Sequence, residues 1–241
     1  MFQNKKILAV IPARGGSKSI PRKNIKLLCG KPLIAYTIEE AKKSQYVDRI
    51  VVSTDDPEIA RIAKEYWAEV PFLRPKELAG DDVTDLPVFQ HCLAWLREHE
   101  NFRPDIVVHL RPTAPLRKVK HIDRGIEILL NSPDADSVRS VCLAPKNPLK
   151  MWKIQNNRLA PFIPESFSGI KEAHNLPRQK LPTAYIQNGS VDVIRVKTIL
   201  EKNSMTGDII IPLVMEEYES VNIDTKIDFL IAEQLMKKRL K

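Results

Sequence analysis

The chain has 241 residues, 43% apolar and 6% aromatic, which supports a sizeable core and excludes a disordered chain. No stretch reaches the roughly 18 apolar residues of a membrane span, and the run ILAVIPA is too short, and meets Arg14 too soon, to be a signal peptide; a cytoplasmic protein with no membrane partner is the expectation. The net charge of +8 is local, because Lys5, Lys6, Arg14, Lys18, Arg22, Lys23, Lys26 and Lys31 all precede the first acidic residue, and the remaining 30 basic and 30 acidic residues cancel.

A cationic cluster confined to one segment suits a compact polyanion such as a triphosphate, whereas a nucleic-acid binder spreads basic residues over a face or interleaves them with aromatics. Nucleic acid is therefore not an expected partner. Cys29, Cys92 and Cys142 show no CxxC spacing and leave one over, so they read as reduced thiols.

In chain order, ILAVI (7–11) predicts a buried strand, and Ile34, Ile38 and Ala41 a helix stripe after it. IVVS (50–53) is a second strand, with Ile59 and Ala63 marking the next helix and Val88, Cys92 and Trp95 a third. IVVHL (106–110), the stripe Ile122, Ile126, Leu129, and SVRSV (137–141) continue the alternation. Strand–helix alternation of this kind predicts one α/β domain with a central, mainly parallel sheet. Prolines 145, 148, 161, 164, 177 and 182 then break the chain into short pieces and predict an inserted subdomain over 145–182. SVDVIRV and IIIPLV return to strand, and the C-terminal segment carries a helical stripe of Ile227, Leu230, Ile231 and Leu235, with a basic last turn suited to a helix C-terminus.

The segment most charged with chemistry is IPARGGSKSIPRKNIK (11–26), directly after the first strand. Gly15 and Gly16 allow close backbone approach and positive φ, while Arg14, Lys18 and Lys23 bring cations, so it reads as a phosphate loop. It matches neither GxxxxGK[ST] nor GxGxxG. The five histidines show no metal-ligand spacing, and Asp56-Pro57 within STDD reads as a helix start rather than a metal site.

This loop, with RPKELAGDD (74–82), LRPTAPLR (110–117), RQKLPTAYIQNGS (178–190) and SVNIDTKIDFLIAE (220–233) in the same order, resembles the acylneuraminate cytidylyltransferases, the CMP-sialic acid synthetases. The resemblance implies a Rossmann-like nucleotidyltransferase fold and a homodimer in which 145–182 is the dimerisation element. It also implies CTP and a small sialic-acid-like sugar acid as substrates, with Mg²⁺ as cofactor. Carried over residue by residue, Arg14, Gly15, Gly16, Ser17, Lys18, Lys23 and Asn24 become nucleotide-loop positions and Arg74 the arginine beside the cytosine. Arg111, Arg178, Gln179 and Asn188 become acceptor ligands. Arg111 stands where glutamine is common in the family, and Asn222-Ile223-Asp224 where DID is usual. The implied metal ligands are then Asp224, the charged one, and Asn222, a neutral oxygen, with Asp228 in support; a helix cap is the alternative for Asp224. Arg14, Lys23 and Asp224 are the implied catalytic residues. Rival readings are a cytidylyltransferase for an eight-carbon octulosonate or other sugar acid and a nucleotide-sugar glycosyltransferase, the latter expected to show a DxD after a strand, which is absent.

Overall fold

Residues 5–240 are described, in a computed structural model. Two compact units divide the chain: Met1–Val141 with Asn188–Lys241, and Cys142–Gln187.

The main unit is organised on β1 (Ile7–Pro12), whose five apolar residues are fully buried on both faces. Burial on both sides is what an uninterrupted apolar run requires, and each such side chain contributes about 1.5–3 kcal/mol. After the small ribbon β2 (Leu27–Leu28) and β3 (Lys31–Pro32) come α1 (Leu33–Lys42), β4 (Arg49–Ser53), α2 (Pro57–Glu65), α3 (Asp85–Glu100), β5 (Ile106–His109) and α4 (Val119–Leu130). β6 (Ser137–Leu143) leads to the second unit. There β7 (Trp152–Gln155) and β8 (Arg158–Pro161) form an antiparallel hairpin followed by the short α5 (Glu165–Ser168). The chain returns through β9 (Tyr185–Arg195), α6 (Val196–Leu200), β10 (Ile210–Val214) and α7 (Lys226–Leu240).

The six-stranded sheet runs β10-β6-β9-β5-β1-β4. β1 is parallel to β4 and β5, β10 is parallel to β6, and β9 runs antiparallel to β5 with His109 opposite Asp192. The mainly parallel sheet expected from the sequence is present. The antiparallel direction of β9 was not legible, because the apolar run of a strand carries no mark of its direction.

Side chains from α1, α2 and α4 pack with Ile7, Ala9 and Ile11 on one face, and those from α3 and α6 with Leu8 and Val10 on the other. The predicted stripes on α1, α2 and α4 are buried as spaced, and Trp95 of the α3 stripe is partly buried. α7 differs. Phe229, Ala232 and Met236 face a cluster with Ile20, Leu28, Leu33 and Tyr36, whereas Ile227, Leu230 and Ile231 are exposed. Both sets have spacings of three and four, so periodicity alone left the phase of this helix open. Lys237, Lys238 and Arg239 occupy its last turn, and Lys241 lies outside the described residues.

In the second unit, Leu149, Ala173 and Leu181 form a small cluster, and Lys150 Nζ donates to the carbonyls of His174 and Leu176. Ile154, Leu159, Phe162 and Phe167 remain exposed. All three cysteines are free, and no described helix is long and apolar enough to cross a membrane.

Candidate active site

A pocket of about 500 Å³ opens in the main unit beyond the carboxyl ends of β1 and β5, where parallel sheets place ligands. Arg14, Ser17 and Lys18 line it from the loop after β1, and Lys23 and Asn24 from the following 3₁₀ turn. Arg74, Arg111 and Asp224 line it too. The structure thus brings together eight of the residues singled out in the sequence, drawn from four separate motifs.

The loop is held by its own polar groups. Buried Asn24 donates Nδ2 to the Arg14 carbonyl at 3.0 Å, so this residue shapes the loop. Gly15 and Gly16 do not play the part expected of them. Neither has positive φ, neither lines the pocket, and the Gly15 N–H donates to Asp55 Oδ1 at 3.0 Å. Gly15 is needed for a different reason: a Cβ there would sit 2.8 Å from Asp56 Oδ2. Asp56 in turn caps α2, accepting from the Glu58 and Ile59 N–H groups, as the helix-start reading of STDD required.

Arg74 is buried, donating to Ser53 Oγ and the Ser53 carbonyl at the end of β4 and to the Leu78 carbonyl at 3.4 Å. Burial lowers its pKa from the ordinary arginine value. Lys23 reaches the opposite wall, where Nζ donates to the Ile223 carbonyl at 2.8 Å and lies 3.6 Å from Asp224 Oδ1.

Asp224 is not the helix cap. Thr225 precedes α7, its Oγ1 accepts from the Asp228 N–H, and Asp228 Oδ2 accepts from Thr225 N–H at 2.7 Å and Asp224 N–H at 3.0 Å. This reciprocal capping box commits Asp228 to the helix end and leaves the Asp224 carboxylate facing the pocket. Asn222 Nδ2 donates to Asp224 Oδ2 at 2.7 Å, while its Oδ1 is buried with no hydrogen-bond partner. Among the described residues no group of three or more His, Cys, Asp or Glu could hold a metal. Asp224 offers the pocket a carboxylate suited to a hard cation whose other ligands are water and phosphate oxygens, while Asn222 faces Asp224 with its Nδ2 and would bring its orphaned Oδ1 to the same ion only with the amide turned over.

On the third wall Arg111 lies between two carboxylates, donating to Asp85 Oδ2 at 2.8 Å and Asp192 Oδ2 at 3.3 Å. Asp192 is buried and also accepts from Arg139 Nε at 3.0 Å. Burial would raise the pKa of Asp85, but His109, Arg111 and Arg139 outweigh it and hold the carboxyl below its usual range. His109 beneath is fully buried and pushed down to about 4, first by burial and then by Arg111, so it is neutral. Arg117, buried and pushed down to about 9 by burial, donates to the carbonyls of Arg111 and Ser190 and to Thr37 Oγ1, fixing the LRPTAPLR turn from below.

Asn188 departs from its expected acceptor role. Its Oδ1 accepts from Ser140 Oγ at 2.6 Å and Ser190 N–H at 3.1 Å, and its Nδ2 donates to Ser220 Oγ at 2.9 Å, so both ends of a buried amide are used by the scaffold. Arg178 and Gln179 belong to the second unit, where they line a cavity of about 350 Å³ with Asn147 and Leu181, and Arg178 donates to the Ala144 carbonyl. Sequence reasoning missed Asp81, Asp85, Arg139 and Asp192. For the last two a signal existed: Arg139 is the one charge in SVRSV and Asp192 the one acid in SVDVIRV, each inside a strand pattern, and the two signs are complementary.

The mixed α/β arrangement, with a cationic pocket beyond the carboxyl edge of a mainly parallel sheet, is the nucleotidyltransferase fold shared with solved cytidylyltransferases. A family model described as cytidylyltransferase matches residues 8–179, and the chain belongs to that family of CTP-dependent enzymes. It is 37% identical to a CMP-N,N'-diacetyllegionaminic acid synthase of Legionella pneumophila, over 96% of each chain. It is 48% identical to a pseudaminic acid cytidylyltransferase of Campylobacter jejuni over 46% of this chain and 47% of the other. Among solved structures, a CMP:2-keto-3-deoxy-manno-octonic acid synthetase complexed with CTP superposes with a TM-score of 0.71 at 16% identity, covering 97% of this chain and 99% of that one, a likeness of fold.

Proposed function

We propose that this enzyme transfers CMP from CTP to the anomeric hydroxyl of a nonulosonic acid and releases pyrophosphate, acting as a cytoplasmic, Mg²⁺-dependent homodimer. The observation that carries the reading is the convergence of Arg14, Lys18 and Lys23 with Asp224 on one pocket that also holds buried Arg74 and paired Arg111. The end-to-end similarity to a legionaminic acid synthase supports the acceptor class.

In the reaction the acceptor oxygen bonds to the α-phosphorus, the bond from that phosphorus to the bridging oxygen breaks, and the hydroxyl proton passes to solvent. Arg14 and Lys18 bind the outer phosphates and meet the charge that grows on the departing pyrophosphate. Lys23, fixed by the Ile223 carbonyl, holds the inner phosphate against the Asp224 wall. Arg74 borders the base, and Arg111, oriented by Asp85 and Asp192, offers a forked donor to the acceptor's carboxylate. Asp224 and Asn222 would hold Mg²⁺, which supplies positive charge to the phosphate oxygens when bound. The exposed apolar residues of the second unit supply the surface for the dimer.

The test is pyrophosphate release from CTP against a panel of legionaminic, pseudaminic, N-acetylneuraminic and octulosonic acids. Release with a nine-carbon acid and CTP, and far less with UTP, is expected. Preferential release with the eight-carbon acid, or equal use of UTP, would sink this reading.

A further inference from the structure

The cations assigned to the outer phosphates already hold a protein carboxylate. Arg14 Nη2 lies 3.0 Å from Asp81 Oδ1, Lys18 Nζ lies 2.5 Å from Asp81 Oδ2, and Arg14 Nη1 donates to the neighbouring Gly80 carbonyl at 2.8 Å. One carboxylate thus spans two cations through its two oxygens, as two oxygens of a phosphate would. Asp81 lines the same pocket, so its carboxylate and a nucleotide phosphate compete for the same donors. The same segment repeats the arrangement four residues on, where Asp85 holds Arg111.

We propose that Asp81 is an internal anion that occupies the phosphate subsite in the empty enzyme, yields it to the outer phosphates of the nucleotide, and reclaims it as pyrophosphate leaves. This deepens the reading of the pocket as a CTP site and rests on it. Three features favour displacement over a permanent structural pair. The side chains of Asp81, Arg14 and Lys18 are 40%, 33% and 79% exposed, so water screens the pairing and a single carboxylate is held weakly. A triphosphate brings several negative charges and outbids it. Asp81 also sits in irregular chain between the 3₁₀ turn Lys76–Leu78 and the start of α3, so its side chain leaves without breaking a helix or strand. Lys18 foremost, then Arg14, holds the Asp81 carboxyl below its usual range, so it is an anion throughout the neutral pH range in which the competition occurs.

An internal competitor weakens every ligand that needs these cations and speeds its departure. The experiment is calorimetric titration of inorganic pyrophosphate into the full chain, for wild type, Asp81→Asn, Asp81→Ala and Asp82→Asn. Asp82 removes the same formal charge one residue away and does not line the pocket, so it reports the general electrostatic effect. Both Asp81 variants are expected to bind pyrophosphate roughly three- to ten-fold tighter than wild type, with Asp82→Asn within about two-fold. In turnover, the inhibition constant for added pyrophosphate should fall by a similar factor. Measurable pyrophosphate binding that is unchanged in the Asp81 variants, or tightened equally by Asp82→Asn, overturns the internal-anion proposal and leaves the phosphate site standing. No pyrophosphate binding by any form, with folding shown by circular dichroism, overturns both.

Discussion

Asn222 and Asp224 share a hydrogen bond but only one negative charge. A Mg²⁺ ion held here, as proposed, would draw most of its coordinating charge from the nucleotide, so metal should arrive mainly with CTP. Asp224→Asn is expected to lower activity at low Mg²⁺ by about 10–100-fold, whereas Asn222→Asp should reduce the Mg²⁺ needed for half-maximal rate. Activity measured against Mg²⁺ concentration checks both, and full activity of Asp224→Asn at low Mg²⁺ would place the metal elsewhere. His109 carries a second consequence. An unfolded histidine titrates near 6.5, while burial holds this one at about 4 in the folded protein. Between those values the unfolded chain binds a proton that the folded one refuses, so stability present above pH 6.5 is lost as pH falls towards 4. The loss between pH 7 and 5 is about 2 kcal/mol. Melting temperatures of His109→Leu should fall less over that interval than those of wild type; equal slopes would show that another group sets the acid sensitivity.

The loop before β10 is pinned by one residue at the start of β6. The Asp136 carboxylate accepts from the N–H groups of Asp208 and Ile209 and from Lys202 Nζ at 2.8 Å, which holds its pKa far below the ordinary value. Gly207 turns the chain over it with φ of +68°, and a Cβ there would lie 2.4 Å from the Asp136 side chain. Gly207→Ala combines a strained backbone with overpacking, for about 3 kcal/mol and a fall of roughly 6–12 °C in Tm. A thermal melt within 2 °C of wild type would mean that the loop yields easily. This anchor was not legible in the sequence, since neither Asp136 nor Gly207 belongs to a periodic pattern and their meeting depends on the β6–β10 pairing. What could be read at this scale was periodicity wherever one face alone is apolar, as on α4. On α7, where two faces are apolar, Ile227 and Phe229 could not be ranked by spacing.

Across the whole molecule, three of the eight early cations, Arg14, Lys18 and Lys23, line a pocket built from segments that lie far apart in sequence, whereas Lys5 pairs with Asp105 before β1, Arg22 with Asp56 and Glu58, and Lys31 with Glu39. The order of the motifs made that pocket legible, because each follows a predicted strand or precedes a predicted helix. The acidic partners of its cations were not, because Asp81 and Asp85 acquire meaning only when α3 is docked beside β1. The apolar residues Ile154 and Phe167, 75% and 84% exposed, bear on assembly. If the second unit supplies the dimer surface, the double variant Ile154→Glu/Phe167→Glu should sediment as a monomer at concentrations where wild type is a dimer, with the melting transition of the main unit preserved. A variant that still sediments as a dimer would move the interface elsewhere.

β6 and β9 lie side by side in the sheet, and everything between Cys142 and Gln187 is strung from one to the other. Closing a loop across two neighbouring strands costs little more as the loop grows, so that segment is a cassette that descent can lengthen, trim or exchange without re-registering the strands it joins. Arg178 and Gln179 ride on the cassette, while Arg14, Lys23 and Arg74 belong to the chassis. A substitution that reshapes the cavity around Arg178 and Gln179 is therefore expected to leave the lining of the main unit's pocket as it is.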